Sequence, residues 1–368
     1  MFNNRAIYLV LFLFINFTKS IFAQEDSVFT VTYFQTLPKI SIRALEAVSE
    51  KKVWFAANHG VWGYTEDAGK TWHIDSIKVD TTYPQFRSIA VLNDSTVLLL
   101  SVASPGYLFK TTNKGKTWQL VFTNPDKDIF YDCMYFYNST CGIALADPIG
   151  GCCHVIRTSD AGATWTLVDC GNITKPAKGE ACFAASNSNI AVYSNNVWFV
   201  TGGMRARIFH SDDMGNHFRA YNTPLPEGDK MTGIFSVDFC DNLTGVIAGG
   251  NYVKSDSTDV TMAITNNGGV TWKPISSKKP IFGSCIKFRN ANEFYITGSD
   301  GTYLFNLKSK KITEVKDNTK TALKYNTLRF SPNGKALWLA GNKGTIALVD
   351  LKRRNVLHVS PKPRKGIK

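Results

Sequence analysis

From residue 43 to residue 77 the chain alternates short apolar runs with polar breaks. RALEAV, KKVWFAANHG, VWGYTE and TWHIDSI are each about one strand long, and they are rich in β-branched and aromatic residues. Read in order, they predict four short antiparallel strands within about 45 residues. The rhythm returns along the chain, and nothing after residue 23 carries a long amphipathic helical pattern. The expected fold class is therefore all-β.

A second pattern lies over the first. TEDAGKTW (65–72), TTNKGKTW (111–118), TSDAGATW (158–165), SDDMGNHF (211–218) and TNNGGVTW (265–272) share the form Ser/Thr-x-Asp/Asn-x-Gly-x-Thr-Trp, with His and Phe closing the fourth copy. From Trp72 the closing aromatics step 46 residues to Trp118, 47 to Trp165, 53 to Phe218 and 54 to Trp272. A period of this size marks a repeat architecture. In each box the Asp or Asn (Asp67, Asn113, Asp160, Asp213, Asn267) can accept hydrogen bonds from its own turn. The Gly (Gly69, Gly115, Gly162, Gly215, Gly269) takes a backbone conformation that other residues avoid. The Thr suits the returning strand, and the aromatic packs beneath the turn. These residues are read as a hairpin staple, not as catalytic acids.

Residues 283–315 and 326–351 keep the four-strand rhythm without the box. The units run over about 40–80, 84–124, 128–171, 178–224, 231–277, 281–316 and 323–352, which predicts a seven-bladed β-propeller of four-stranded antiparallel blades. The last unit is one strand short. SVFTVTYFQTL (27–37) is expected to complete it and close the ring, with NVLHVS (355–360) as the alternative. Seven of the eight tryptophans fall on two repeat positions: Trp72, Trp118, Trp165 and Trp272 close boxes, and Trp54, Trp198 and Trp338 occupy second strands.

Composition sharpens this picture at the ends and at the cysteines. Residues 1–23 hold one early positive charge, a short apolar run and a small residue before Gln24, the form of a secretory signal peptide cut after Ala23. Residues 24–352 are then the propeller and 353–368 a basic tail. The apolar run is short for a spanning helix. The expected location is periplasmic or extracellular, and the expected state a monomer. Net charge is +13, or +11 once Arg5 and Lys19 are removed. The stretch 352–368 has seven positive residues and no acid, and could touch an anionic envelope surface. Nucleic acid is a poor fit, because no basic stripe is interleaved with aromatics. Export permits disulfides among the eight cysteines. Counting outward from the third box turn sets Cys153 opposite Cys170, which makes them the candidate pair.

The box resembles that of the Asp-box or BNR-repeat propellers, which include sialidases, xyloglucanases, sortilin-like receptors and photosystem II stability/assembly factor-like proteins. The blade rhythm also fits WD40- and YVTN-like repeats. YDCMYFYNSTCGIALADP, GEACFAASNSNIAV, VWFVTGGMRARIFHSDDMGNHF and GIFSVDFCDNLTGVIAGGNY look like exported bacterial relatives of the assembly-factor group, which are often loosely labelled oxidoreductases. No Gly-rich dinucleotide fingerprint and no metal-ligand cluster is legible, so neither cofactor nor metal is expected. Unlike a sialidase, the chain has no Arg-Ile-Pro start motif, and it is long enough for only one of the two propellers that form a xyloglucanase cleft.

In a propeller the innermost strands begin on the face that also carries the second-to-third strand loops, while the boxes lie on the other face. Arg43, Arg87, Asp132 and Glu180 are placed at or near the starts of innermost strands, and Asp147, Arg205, Arg207, Asn251 and Tyr252 in the loops. Together they form a candidate mouth for a protein or glycan partner. The expected role is a non-enzymatic binding scaffold with acids neutralised by Arg43, Arg87, Arg205 or Arg207. The alternative is a glycoside hydrolase using two of Asp132, Asp147 and Glu180.

Overall fold

The computed structural model describes residues 27–254, 260–277 and 281–356. The leader expected at 1–23 and nearly all of the basic stretch 353–368 lie outside them. Strands dominate, and the helices among the described residues are two three-residue 3₁₀ turns, Cys170–Asn172 and Asn342–Gly344. The first sheet runs Ile42–Ala47, Val53–Ala57, Val61–Thr65 and His73–Ser76 in spatial order, each strand antiparallel to the next. The same up-and-down order recurs across 86–124, 131–167, 190–222, 232–274 and 285–316.

Burial explains the sequence pattern. The second strand Val53–Ala57 is buried at every position, whereas the fourth, His73–Ser76, is mostly exposed. Inner strands are thus covered on both faces and read as continuous apolar runs, as central strands do. The core lies between neighbouring sheets. Trp54 and Trp62 of the first sheet pack with Phe86, Leu99 and Phe109 of the second.

The box turns are closed by their own side chains. Asp67 Oδ1 accepts from Thr71 N at 2.9 Å, and its Oδ2 accepts from Thr71 Oγ1 at 2.6 Å. Gly69 N donates to Thr65 Oγ1 at 2.9 Å, and Trp72 Nε1 donates to Gly69 O at 3.1 Å. Asn113 and Asn267 accept from Thr117 N and Thr271 N in the same way, both at 2.9 Å. Gly115 shows why the glycine is needed. Its φ is +82°, and a Cβ there would sit 2.2 Å from the Trp62 ring of the preceding sheet.

The first and last described strands meet. Ser27–Gln35 lies antiparallel along Thr345–Val356, from Gln35 opposite Thr345 to Thr30 opposite Asp350 and on past a register shift. Its first residues also pair in parallel with Lys311–Lys316. The early strand therefore stands as the fourth strand beside 327–356. Asn355 and Val356 extend the strand that begins at Thr345 instead of forming a new one.

The disulfide differs from the expected pair: it joins Cys152 to Cys170, with Cα atoms 5.7 Å apart, and Cys153 is free and buried. Regular pairing from the box turn stops at Leu167, and the 3₁₀ turn at Cys170–Asn172 breaks the count. Alternation along Cys152–Thr158 then turns Cys153 and Val155 into the core and leaves Cys152 facing out.

Glu180 is also placed differently. It forms a two-residue strand, Glu180–Ala181, against Gly202–Gly203, and the innermost strand of its unit starts only at Ile190. The residues between, 182–189, cross the centre of the ring. Ser186 O accepts from Thr327 Oγ1 at 2.9 Å, Asn187 Nδ2 donates to Ile89 O at 3.1 Å, and Ser188 and Ser236 hydroxyls meet at 2.7 Å. Asn187 Oδ1 accepts from Ser88 Oγ and from Cys133 Sγ, while Ser186 Oγ donates to Ser284 O. This polar segment ties the inner strands of several sheets to one another.

Candidate functional site

A recurring irregularity builds the site. The inner strands Ile42–Ala47, Phe86–Val91, Tyr131–Phe136 and Thr232–Phe239 each slip register near their start, at Arg43, Arg87, Asp132 and Phe235. A bulge inserts one unpaired residue and re-aims its side chain. Four strands thus present an extra residue at equivalent positions around one end of the central axis.

Arg43 and Arg87 line a pocket of about 650 Å³ at this mouth. Arg43 Nη1 donates to Ala185 O at 3.1 Å, and Arg87 Nη1 donates to Ala184 O at 3.0 Å. These two arginines therefore grip the crossing segment and not the acids they are expected to neutralise. Burial, and then the charge of Arg87, lowers the Arg43 guanidinium to about 10, which still leaves it protonated at neutral pH. Phe183, Phe235 and Phe282 form one wall, with Phe183 stacked on Phe235 at 4.1 Å and Phe282 edge-on to Phe235 at 5.1 Å. Tyr252, Lys324 and Tyr325 add to the lining, in which no carboxylate takes part among the described residues. The pocket is cationic and aromatic.

The remaining sequence candidates are distributed around it. Asp132 is 1% exposed, and neither of its oxygens has a hydrogen-bond partner among the described residues. Asp147 is half-buried, and its Oδ1 accepts from Cys182 N at 2.7 Å. Burial, with the Asp147 charge behind it, raises the Asp132 carboxyl well above the ordinary range, and burial lifts Asp147 to about 6. Glu180 is held by Arg207, with Nη2 to Oε2 at 2.6 Å and Nε to Oε1 at 3.1 Å, and by Thr201 Oγ1 at 2.6 Å. Arg205 pairs with Glu227 at 2.7 Å, and Asn251 Nδ2 donates to Thr232 Oγ1 at 2.7 Å while its Oδ1 caps the next turn. Arg43, Arg87 and Tyr252 thus line the pocket, Asp132 and Asp147 sit together beside it, and Glu180, Arg205, Arg207 and Asn251 are bound into local structure.

Sequence reasoning missed Phe183, Phe235, Phe282, Lys324, Tyr325 and Cys182. The legible signal was the polar run SNSN, set between apolar residues with no turn glycine and buried throughout.

No protein-family model matches the chain, and no curated protein matches it in sequence. Solved structures do. A YCF48 bound to D1 peptide superposes with a TM-score of 0.62 at 13% identity, covering 87% of this chain and 96% of that one. YCF48 from Cyanidioschyzon merolae gives a TM-score of 0.64 at 10% identity, over 88% of this chain and 100% of that one. The Neurospora crassa Pan2 WD40 domain gives 0.58 at 12% identity, over 91% and 98%. Likeness at such identities is likeness of fold, and with the ring of four-stranded sheets it defines the class: the chain is a β-propeller.

Proposed function

We propose that the chain is a seven-bladed, Asp-box-stapled propeller that acts as a non-enzymatic scaffold, holding an extended acidic segment of a protein partner at the channel mouth. The observation that carries this is the pocket lining: Arg43, Arg87 and Lys324 beside six aromatic rings, with no acid among the described lining residues. Cations on an aromatic floor suit a peptide with carboxylates and apolar side chains. That a structural neighbour has a bound D1 peptide supports a peptide as ligand. On this reading the leader exports the protein, which works as a monomer outside the cytoplasm, and the basic tail meets anionic envelope surfaces.

Glycoside hydrolysis by Asp132, Asp147 or Glu180 fits poorly. Glu180 is saturated by Arg207 and Thr201, and Asp132 is enclosed, so among the described residues these acids form no carboxylate pair across an open cleft. The test is fluorescence anisotropy with labelled peptides of equal length and acidic, neutral or basic character. Acidic peptides should bind, and should weaken as salt rises. Tyr252→Ala and Lys324→Ala, which leave the crossing segment alone, should each weaken binding by roughly 3- to 10-fold at unchanged melting temperature. Equal binding of all three peptides, or variants that bind like the parent, would sink the proposal. Reducing ends released from envelope polysaccharides would favour the hydrolase.

A further inference from the structure

Beside the mouth pocket, Asp132, Asp147 and Cys182 each offer one donor atom, and these atoms lie within 4.8 Å of one another. Three features set the group apart from a chance meeting of polar residues. Asp132 is enclosed and neither oxygen is hydrogen-bonded among the described residues, although a buried carboxylate without a partner is strongly disfavoured. Cys182 is buried and free, and its thiol points the group toward softer chemistry than two acids alone would have. Backbone geometry holds the donors in place, with Asp132 at a bulge and Asp147 tied to Cys182 N.

We propose that Asp132, Asp147 and Cys182 bind one divalent metal ion, and that the ion is zinc. Calcium and magnesium demand six or more oxygens or several waters, which a buried pair of carboxylates and a thiol does not provide. Zinc is borderline in softness, accepts carboxylate oxygen and thiolate sulfur together, and binds them at about 2.0–2.3 Å. Drawing donors now within 4.8 Å onto such an ion requires movement of roughly an ångström, within reach of side-chain rotation. On binding, the Cys182 thiol gives up its proton to solvent and the sulfur ligates as thiolate. The bond from Cys182 N to Asp147 Oδ1 orients one ligand by another. A proton shared by the two acids would account for the carboxylates but leaves the thiol without a role. Cys182 also lines the mouth pocket, so the ion has an entry path, and three protein donors leave a coordination position for water or an anionic ligand group.

The experiment uses residues 24–368, stripped of metal and handled without oxygen so that the free cysteines stay reduced and the Cys152–Cys170 disulfide intact, and titrated with Co²⁺ and then Zn²⁺. One equivalent of Co²⁺ should produce a near-ultraviolet thiolate-to-metal absorption that Zn²⁺ displaces. Cys182→Ser should abolish that absorption, and Asp132→Asn and Asp147→Asn should each weaken affinity on the order of tenfold or more. Cys141→Ser should leave it unchanged. Zn²⁺ should raise the melting temperature of the parent and not that of Cys182→Ser, a readout that survives if Asp132→Asn fails to fold. Absence of a stoichiometric absorption in the parent overturns the site. So does an absorption that persists in Cys182→Ser, or peptide mapping that finds Cys182 disulfide-bonded to Cys153 in protein isolated without reductant.

Discussion

The box aspartates make a sharp prediction about acid. Asp67 and Asp160 accept first from the hydroxyls of Thr71 and Thr164 and then from those residues' amides, which lowers both carboxyls to about 2. A depressed native value means the turn contribution is complete above the unfolded value near 4 and is lost as pH falls from there through about 2. Carbon-detected NMR of labelled aspartate should report both midpoints near 2, and a midpoint near 4 would show that the turn bonds do not form in solution. Asp67→Asn should be tolerated, since Asn113 and Asn267 close the same turn. Gly115→Ala should not. It adds a left-handed non-glycine residue and drives a methyl into the Trp62 ring, so we expect about 2–4 kcal/mol of destabilisation by denaturant melts. A loss below 0.5 kcal/mol would mean the two sheets separate easily there.

At the scale of elements, the segment 182–189 carries the most consequence. Its backbone and side chains serve inner strands from several sheets, so one substitution is felt around the ring. Asn187 holds φ +55°, which asparagine tolerates better than most residues, and its amide bonds Ser88, Cys133 and Ile89 at once. Asn187→Ala strands those partners in the interior and should cost about 2–4 kcal/mol in thermal unfolding. It should also loosen the grip of Arg43 and Arg87 on Ala185 and Ala184, and so weaken any mouth ligand. Unchanged stability would show that the segment is a passenger. The four bulges are a second element-scale device: without them Arg43, Arg87, Asp132 and Phe235 would point elsewhere, because a one-residue shift turns a strand's side chains over.

The whole molecule depends on joining its first and last described strands. Ser27–Gln35 pairs along nine residues of the last sheet and buries Phe29 against Val349 and its neighbours. Deleting 27–35 exposes the edge of Thr345–Val356, and we expect loss of cooperative unfolding together with concentration-dependent association, read by calorimetry and light scattering. A truncated chain that melts as one sharp transition and stays monomeric would show that closure is dispensable.

Sequence alone determined what is local and repeated. Strand rhythm and box turns were legible, because apolar runs and self-bonded turns are set by neighbours a few residues apart, and the strand missing from the last unit pointed to its pairing with 27–37. Arg43 and Arg87 lie at strand starts that the apolar pattern marks, whereas the bulges that aim them depend on the paired strand. Tertiary structure alone decided what depends on distant partners. Cys152 and not Cys153 meets Cys170, because a 3₁₀ turn displaces the ladder. Arg207 and not Arg43 neutralises Glu180, and the central arginines go to carbonyls 97 and 142 residues away. The aromatic wall of Phe183, Phe235 and Phe282 assembles from three separate parts of the chain, and so does the meeting of Asp132, Asp147 and Cys182. No spacing rule records such meetings, since they are made by the closure of the ring and not by the order of residues along it.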